Sequence, residues 1–278
     1  MKPEIGKGRF EMSQMSRFGC ALLALGLAAS SLGCNLFTIL DKLSARDELN
    51  KGVKAYSSQK FDEAVTHLQN AVDLDPELID AELYLATTYR VQYQPGGQSM
   101  DNLQMAQKAI QIFERVLAKD PGNESSIANI SGIYNSMGDY DMAKEWYRKQ
   151  MEVNPSNPEP LYGIGTIDWQ LSYDRTGMTG ENVENLTDEE KAEVNATVDE
   201  GVEALRKALE INPQYTDAMQ YLNLLYREKG KLASDEEEKS NWELEADKLA
   251  LESLEMKRMQ EEEAERAKRT FTGATEAE

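Results

Sequence analysis

Only two cysteines occur in the 278 residues, Cys20 and Cys34, and both lie in an apolar N-terminal stretch. Beyond Cys34 a disulfide framework, a cysteine-based zinc site and a thiol nucleophile are therefore excluded. The single histidine, His67, cannot build a histidine-rich metal site and reads as a surface residue. The 8 prolines are few enough to leave room for long helices. Positive charge is in deficit: 30 Lys and Arg against 50 Asp and Glu give a formal net charge of −20. A surface this acidic repels phosphate backbones and anionic headgroups, which disfavours nucleic acid and suits partners with basic patches or none. Neither an HExxH pair nor a GxSxG elbow is present. Gly163-Ile164-Gly165 lacks the preceding strand that a dinucleotide loop needs. Asp73-Leu74-Asp75-Pro76 lacks the glycine and closing glutamate of a calcium loop. The expectation is a chain with no catalytic residue, no metal and no cofactor.

One long apolar run is present, from Phe18 through Gly33, preceded by Lys2, Lys7, Arg9 and Arg17. That order of charged and apolar segments is a secretory signal. The run closes Ser30-Ser31-Leu32-Gly33-Cys34, which resembles the bacterial lipobox: Gly33 and Cys34 match, while Ser31 stands where leucine is usual. The resemblance implies that Cys34 is lipidated and becomes the mature N-terminus, and Asn35, not being aspartate, favours the outer membrane. Two alternatives stand beside it. Continued through Leu36-Phe37-Thr38-Ile39-Leu40, the run is just long enough to span a bilayer. It could also be a cleaved signal without an anchor, leaving a soluble periplasmic protein. Every version exports the remaining chain. The expected layout is a signal over 1–34, a linker over 35–44, a repeat domain over 45–260, and a frayed helix with a disordered acidic tail over 261–278.

From about Ala45 the sequence repeats itself. The clearest unit runs Ile127…Ile130-Ser131…Tyr134…Gly138…Tyr140…Ala143…Tyr147…Pro155, and an earlier one Gly52…Ala55-Tyr56…Phe61…Ala64…Leu68…Ala71…Pro76. Both fit a period of about 34 residues without insertion. Small residues such as Gly52, Ala64 and Ala143 let antiparallel helices approach, and large ones such as Phe61, Leu68, Tyr140 and Tyr147 fill the gaps beside them. Asp75-Pro76, Asp120-Pro121, Asn154-Pro155 and Asn212-Pro213 each end a hairpin, because proline cannot donate the next helical hydrogen bond. Three further units are interrupted. Leu85-Ala86…Tyr89 pairs with Ala109…Phe113…Val116, Ile164-Gly165…Trp169 with Gly201…Leu205…Ala208, and Leu222…Tyr226 with Trp242, Ala246, Leu249 and Ser253. The first two exceed the period by roughly ten and roughly two dozen residues.

This pattern resembles the tetratricopeptide repeat (TPR) over about three quarters of the chain. The resemblance implies an all-α, right-handed superhelix of about five helical hairpins, three of them carrying long inter-helix insertions. In TPR proteins the first helices line a concave groove, which implies a partner-binding surface made of Leu49, Val53 and Tyr56, then Leu83, Thr87 and Arg90, then Ala128 and Asn135. It continues with Tyr162, Thr166 and Trp169, and with Gln220, Leu224 and Arg227. The Lys/Asn/Arg clamp of chaperone-tail-binding TPRs would need basic and amide residues where Leu49, Val53, Leu83 and Thr87 stand, which disfavours that docking mode. The chain is most similar to exported bacterial TPR lipoproteins. The implied function is a membrane-tethered scaffold of the cell envelope that binds a protein or peptide in its groove. The alternative is an accessory factor or enzyme of envelope carbohydrate processing that uses acidic groove residues.

Overall fold

A computed structural model of the chain describes residues 38–97 and 99–275. The signal segment and Cys34 lie outside the described residues. Among these residues there is no strand. Ten α-helices follow in order: α1 (residues 38–57), α2 (Phe61–Leu74), α3 (Ile79–Gln92), α4 (Met100–Lys119), α5 (Glu124–Met137), α6 (Tyr140–Val153), α7 (Glu159–Thr176), α8 (Asp188–Ile211), α9 (Thr216–Lys231) and α10 (Glu236–Thr275). One short 3₁₀ turn, Val183–Asn185, lies between α7 and α8. The chain divides into two compact units, the first ending at Gln92 and the second beginning at Tyr93. The hairpin expected to join Leu85 and Pro121 is thus shared between the units.

The four Asx-Pro stops behave alike. Asp75, Asp120, Asn154 and Asn212 cap α2, α4, α6 and α8 with φ between −130° and −139° and ψ between 84° and 93°. Each keeps its own N–H bonded to the carbonyl four residues back, and the following proline forces it out of the helical region. The turn glycine of the clearest repeat, Gly138, sits at φ 77°, the left-handed cap that glycine adopts without a Cβ penalty.

The inserted residues are largely helical. Many of them form extra turns at the start of second helices. α2 and α6 have 14 residues each, whereas α4 has 20, α8 has 24 and α10 has 40. Asp188-Glu189-Glu190 opens α8, and a capping box joins Thr187 and Glu190, so the inserted stretch nucleates its own helix. The span from Asp174 to Asn195, read as a long insertion, keeps only residues 177–187 outside helices. The same propensity extends both ends of the domain. α1 takes in residues 38–44, placed in a linker from the sequence, because Asp41-Lys42-Leu43-Ser44 contains no helix breaker. α10 continues past Gln260 through Thr275, into the stretch expected to be disordered, carried by Glu-, Ala-, Lys- and Arg-rich sequence with ion pairs such as Arg266–Glu262.

Packing follows the small–large pattern. Ala64 and Ala143 are fully buried, as are Leu68, Phe113, Ile130 and Leu205. A methyl group on Gly52 would lie 2.6 Å from Leu68 Cγ, so α1 and α2 can meet there only because the side chain is absent. Glu48 and His67 brace the same pair of helices at 2.7 Å, and the hydrogen bonds from Lys51 and His67 hold the Glu48 carboxyl down at about 2. In the second unit, Gly163 receives the ring of Tyr147 and Gly165 receives Leu205. These are the glycines whose spacing mimics a dinucleotide loop; here they are seats for side chains of α6 and α8.

Candidate protein-docking face

The most developed surface lies on α7 and α9, the first helices of consecutive hairpins, which pack on each other in the second unit. Tyr162, Thr166, Trp169 and Tyr173 recur at helical spacing along one side of α7. Tyr221 of α9 packs edge-on against both Tyr162 (5.5 Å between ring centres, 82°) and Trp169 (5.4 Å, 77°). Tyr173 continues the row beside Trp169 at 5.3 Å, and Tyr215, just before α9, lies 5.1 Å from Tyr162. These five rings are all half-buried: they rest on the core yet keep a solvent-facing side. Burial pushes the Tyr162 hydroxyl up to about 12, with Tyr221, Asp217 and Glu159 adding to the effect. Burial, then a hydrogen bond to the Glu159 carboxylate, raises Tyr215 as well. Tyr162 and Tyr215 therefore stay neutral and donor-bearing across the physiological range.

The sequence placed Tyr162, Thr166 and Trp169 on this face but missed Tyr173, Tyr215 and Tyr221. Tyr173 was legible, four residues beyond Trp169 on the same stripe. On α9 a further residue joins the expected ones. Gln220, Leu224 and Arg227 were expected to face the hollow, yet Tyr221 is the residue that meets α7. Gln220 is exposed one step, or about 100°, round the helix, and Leu224 is half-buried. Arg227 is committed elsewhere, its Nε donating to Asn223 and its Nη2 standing 2.8 Å from Asp247 of α10.

Lys231 closes the far end of the row. Its ammonium sits 5.1 Å from the Tyr173 ring and donates to the Gly177 carbonyl and to Glu228 Oε1, both at 2.7 Å. Glu228 is buried and its other oxygen accepts from Thr176 Oγ1 at 2.6 Å. The end of α7 is thereby latched to α9.

Behind the face lies a charged cluster that sequence spacing did not reveal. Asp168 is fully buried on α7 and pairs with Lys144 of α6. Lys144 also reaches Glu200 of α8 at 3.0 Å, and Arg148 meets the same carboxylate at 2.7 Å. Burial pushes the Asp168 carboxyl up to about 7, against the pull of Lys144. A methyl on Gly201 would come 2.8 Å from both Asp168 Cβ and Leu225 Cδ1, so α8 presses directly on this point. The approach of Asp168 and Glu200 across Lys144 is a helix-joining ion pair.

The remaining expected residues divide by unit. In the second unit Ala128 is half-buried, and Asn135 hydrogen-bonds Tyr147, the side chain seated over Gly163. In the first unit Leu49, Val53 and Tyr56 on α1 are half-buried, as are Leu83 and Thr87 on α3, and Arg90 is exposed. Tyr56 packs edge-on against Phe61 at 6.0 Å and Tyr84 at 6.2 Å, while the Thr87 hydroxyl donates to the Leu83 carbonyl.

Comparison with known proteins agrees with this architecture. The tetratricopeptide-repeat family model matches residues 125–157, the α5–α6 hairpin and the turn after it. Hsp70-Hsp90 organizing protein 1 of Glycine max is 29% identical over 124 residues, covering 45% of this chain and 20% of that protein. Hsp70-Hsp90 organizing protein 3 of Arabidopsis thaliana is 28% identical over 156 residues, 56% of this chain and 25% of its own length. The chain thus spans only a minor part of those relatives. Photosystem I assembly protein Ycf3 of Rippkaea orientalis is 29% identical over 140 residues, 49% of this chain and 75% of that protein. Among solved structures, a MamA protein superposes with a TM-score of 0.56 at 17% identity, covering 78% of this chain and 94% of the other. MamA from Desulfovibrio magneticus RS-1 gives 0.53 at 16% identity, covering 78% and 97%.

Proposed function

We propose that this chain, a protein of TPR fold with a tetratricopeptide repeat at residues 125–157, is a membrane-tethered scaffold of the bacterial cell envelope that holds a protein partner against the aromatic face of α7 and α9. The observation that carries this reading is the half-exposed row of Tyr162, Tyr221, Trp169 and Tyr173. Large rings that are already rigid and partly desolvated contribute contact area at little cost in conformational entropy, which is why aromatic anchors dominate interface energetics. TPR proteins bind protein partners through such first-helix faces. The tether rests on the lipobox-like Leu32-Gly33-Cys34 and the apolar run before it.

Three measurements test the two halves of the reading. A photoreactive amino acid in place of exposed Gln220, beside Tyr221, should cross-link a defined envelope protein in intact cells, whereas the same group at Glu252 on α10 should not. Trp169→Ala is expected to weaken capture of that protein roughly thirtyfold, the effect of losing an anchor of about 2 kcal/mol. Equal cross-linking from both positions would reject the docking face. For the tether, incorporation of a fatty-acid analogue should be lost in Cys34→Ala and retained in Cys20→Ala. Labelling that survives in both variants would place the anchor elsewhere.

A further inference from the structure

The two ends of the aromatic row differ in charge. At the Lys231 end the cations are already matched, Lys231 with Glu228 and Arg227 with Asp247. At the other end, Tyr162, Tyr215 and Tyr221 cluster with ring planes inclined by 38° and 82° to that of Tyr162. Glu159, less than a turn before Tyr162 on α7, and Asp217, about a turn before Tyr221 on α9, carry exposed side chains into the same neighbourhood. Both carboxylates are near enough to act on the hydroxyls of Tyr162 and Tyr215, and Glu159 accepts from Tyr215. Among the described residues neither Glu159 nor Asp217 has a salt-bridge partner, so this corner of the face presents ring surfaces and two carboxylates without a cationic side chain between them.

We propose that this corner receives an arginine or lysine side chain from a basic segment of the partner protein, the cation resting on the tyrosine rings between Glu159 and Asp217. Rings alone would accept any apolar group, and carboxylates alone would attract any counterion. Their juxtaposition selects a cation on an extended side chain, because the ring quadrupole and the carboxylates act on the same charge while the rings cover its methylenes. The charge of −20 adds an attraction that is long-ranged and unspecific, and salt screens it beyond about 8 Å at physiological ionic strength. The proposal rests on the docking face described above and specifies which chemistry that face selects.

A capped, fluorescent peptide of alternating arginine and glycine, titrated into the full-length protein at physiological salt, separates local recognition from net charge. Asp217→Asn and Tyr221→Leu should each weaken binding roughly fivefold or more. Glu252→Gln on α10 removes the same unit of charge as Asp217→Asn and should leave affinity within about twofold, in line with the screening of distant charges. Tyr221→Phe keeps the ring and should bind as the parent does, which guards against reading a folding defect of Tyr221→Leu as lost recognition. A citrulline version of the peptide should not bind. Equal losses in Asp217→Asn and Glu252→Gln, parent-like affinity in Tyr221→Leu, or no peptide binding at all would each overturn the proposal. Cross-linking through Gln220 combined with any of these results would retain the docking face and remove only its cationic ligand.

Discussion

Lys144→Met should destabilise the second unit by roughly 1–2 kcal/mol at pH 8, because a carboxyl held near 7 in the folded protein is ionised there and, without its counter-charge, takes up a proton instead. Asp168 has no solvent exposure and its partner ammonium is nearly as enclosed, so water cannot replace the lost cation. The loss should shrink toward pH 5. Burial places the Asp168 carboxyl near 7 in the folded protein, against 3.8 in an unperturbed carboxyl. A carboxyl raised in this way contributes its stability below the unfolded value and gives it up as pH climbs from about 4 to about 7. At pH 5 the folded state therefore holds Asp168 as a neutral acid, for which Lys144 is dispensable. Chemical denaturation of the parent and Lys144→Met at the two pH values provides the measurement. Equal losses at both would mean that the lysine stem, not its charge, matters. The double variant Lys144→Met with Asp168→Leu should recover most of the stability, since an apolar pair of similar volume removes the desolvation cost of both ions.

Gly165→Leu should cost about 3 kcal/mol, the upper part of the range for overpacking a close-packed core. Even a Cβ at this position meets Leu205, which is itself fully buried and has nowhere to swing. The contrast is Gly132 on α5, where an added Cβ meets nothing within 4 Å. There, Gly132→Ala should be neutral or stabilising by roughly 0.5–1 kcal/mol, because alanine loses less backbone entropy in a helix. Thermal melting of the two variants side by side compares a glycine required by contact with one that is not. A stable Gly165→Leu would show that α7 and α8 have slack at this crossing.

The contrast between those glycines also marks the limit of reading by pattern. The hairpin ends were legible because the Asx-Pro pairs act through local sterics, and all four adopt the same cap. Ala143 and Leu68 were legible because the repeat fixes which side of a helix is crowded. How the inserted residues fold was not read, because spacing counts residues without saying their conformation; the capping box at Thr187 and Glu190 was present in the sequence and signals helix. The α7 side of the docking face was legible from the spacing of Tyr162 and Trp169. Tyr221 on α9 was not legible, since it stands one residue beyond Gln220, the repeat equivalent of Tyr162, and spacing within one helix does not say which side chain meets its neighbour. The Lys144–Asp168 pair links residues on two helices and leaves no trace in the periodicity of either.

The latch among Lys231, Glu228, Thr176 and Gly177 bears on how the array comes apart. Helical repeats touching only their neighbours behave as a linear chain of units, and cooperativity is set by the strength of each nearest-neighbour coupling. The end of α7 cannot open without breaking bonds to α9, and α9 is packed against α8 and α10. The α7–α8 and α9–α10 hairpins are therefore joined into one cooperative block, whose amides should be protected from hydrogen exchange together. The stretch of α10 beyond Gln260 has exposed side chains through Lys268, and the pairs Arg258–Glu262, Arg266–Glu262 and Lys268–Glu265 run along its own helix. That arm is free to lose and regain its helical turns while the block beneath it stays closed.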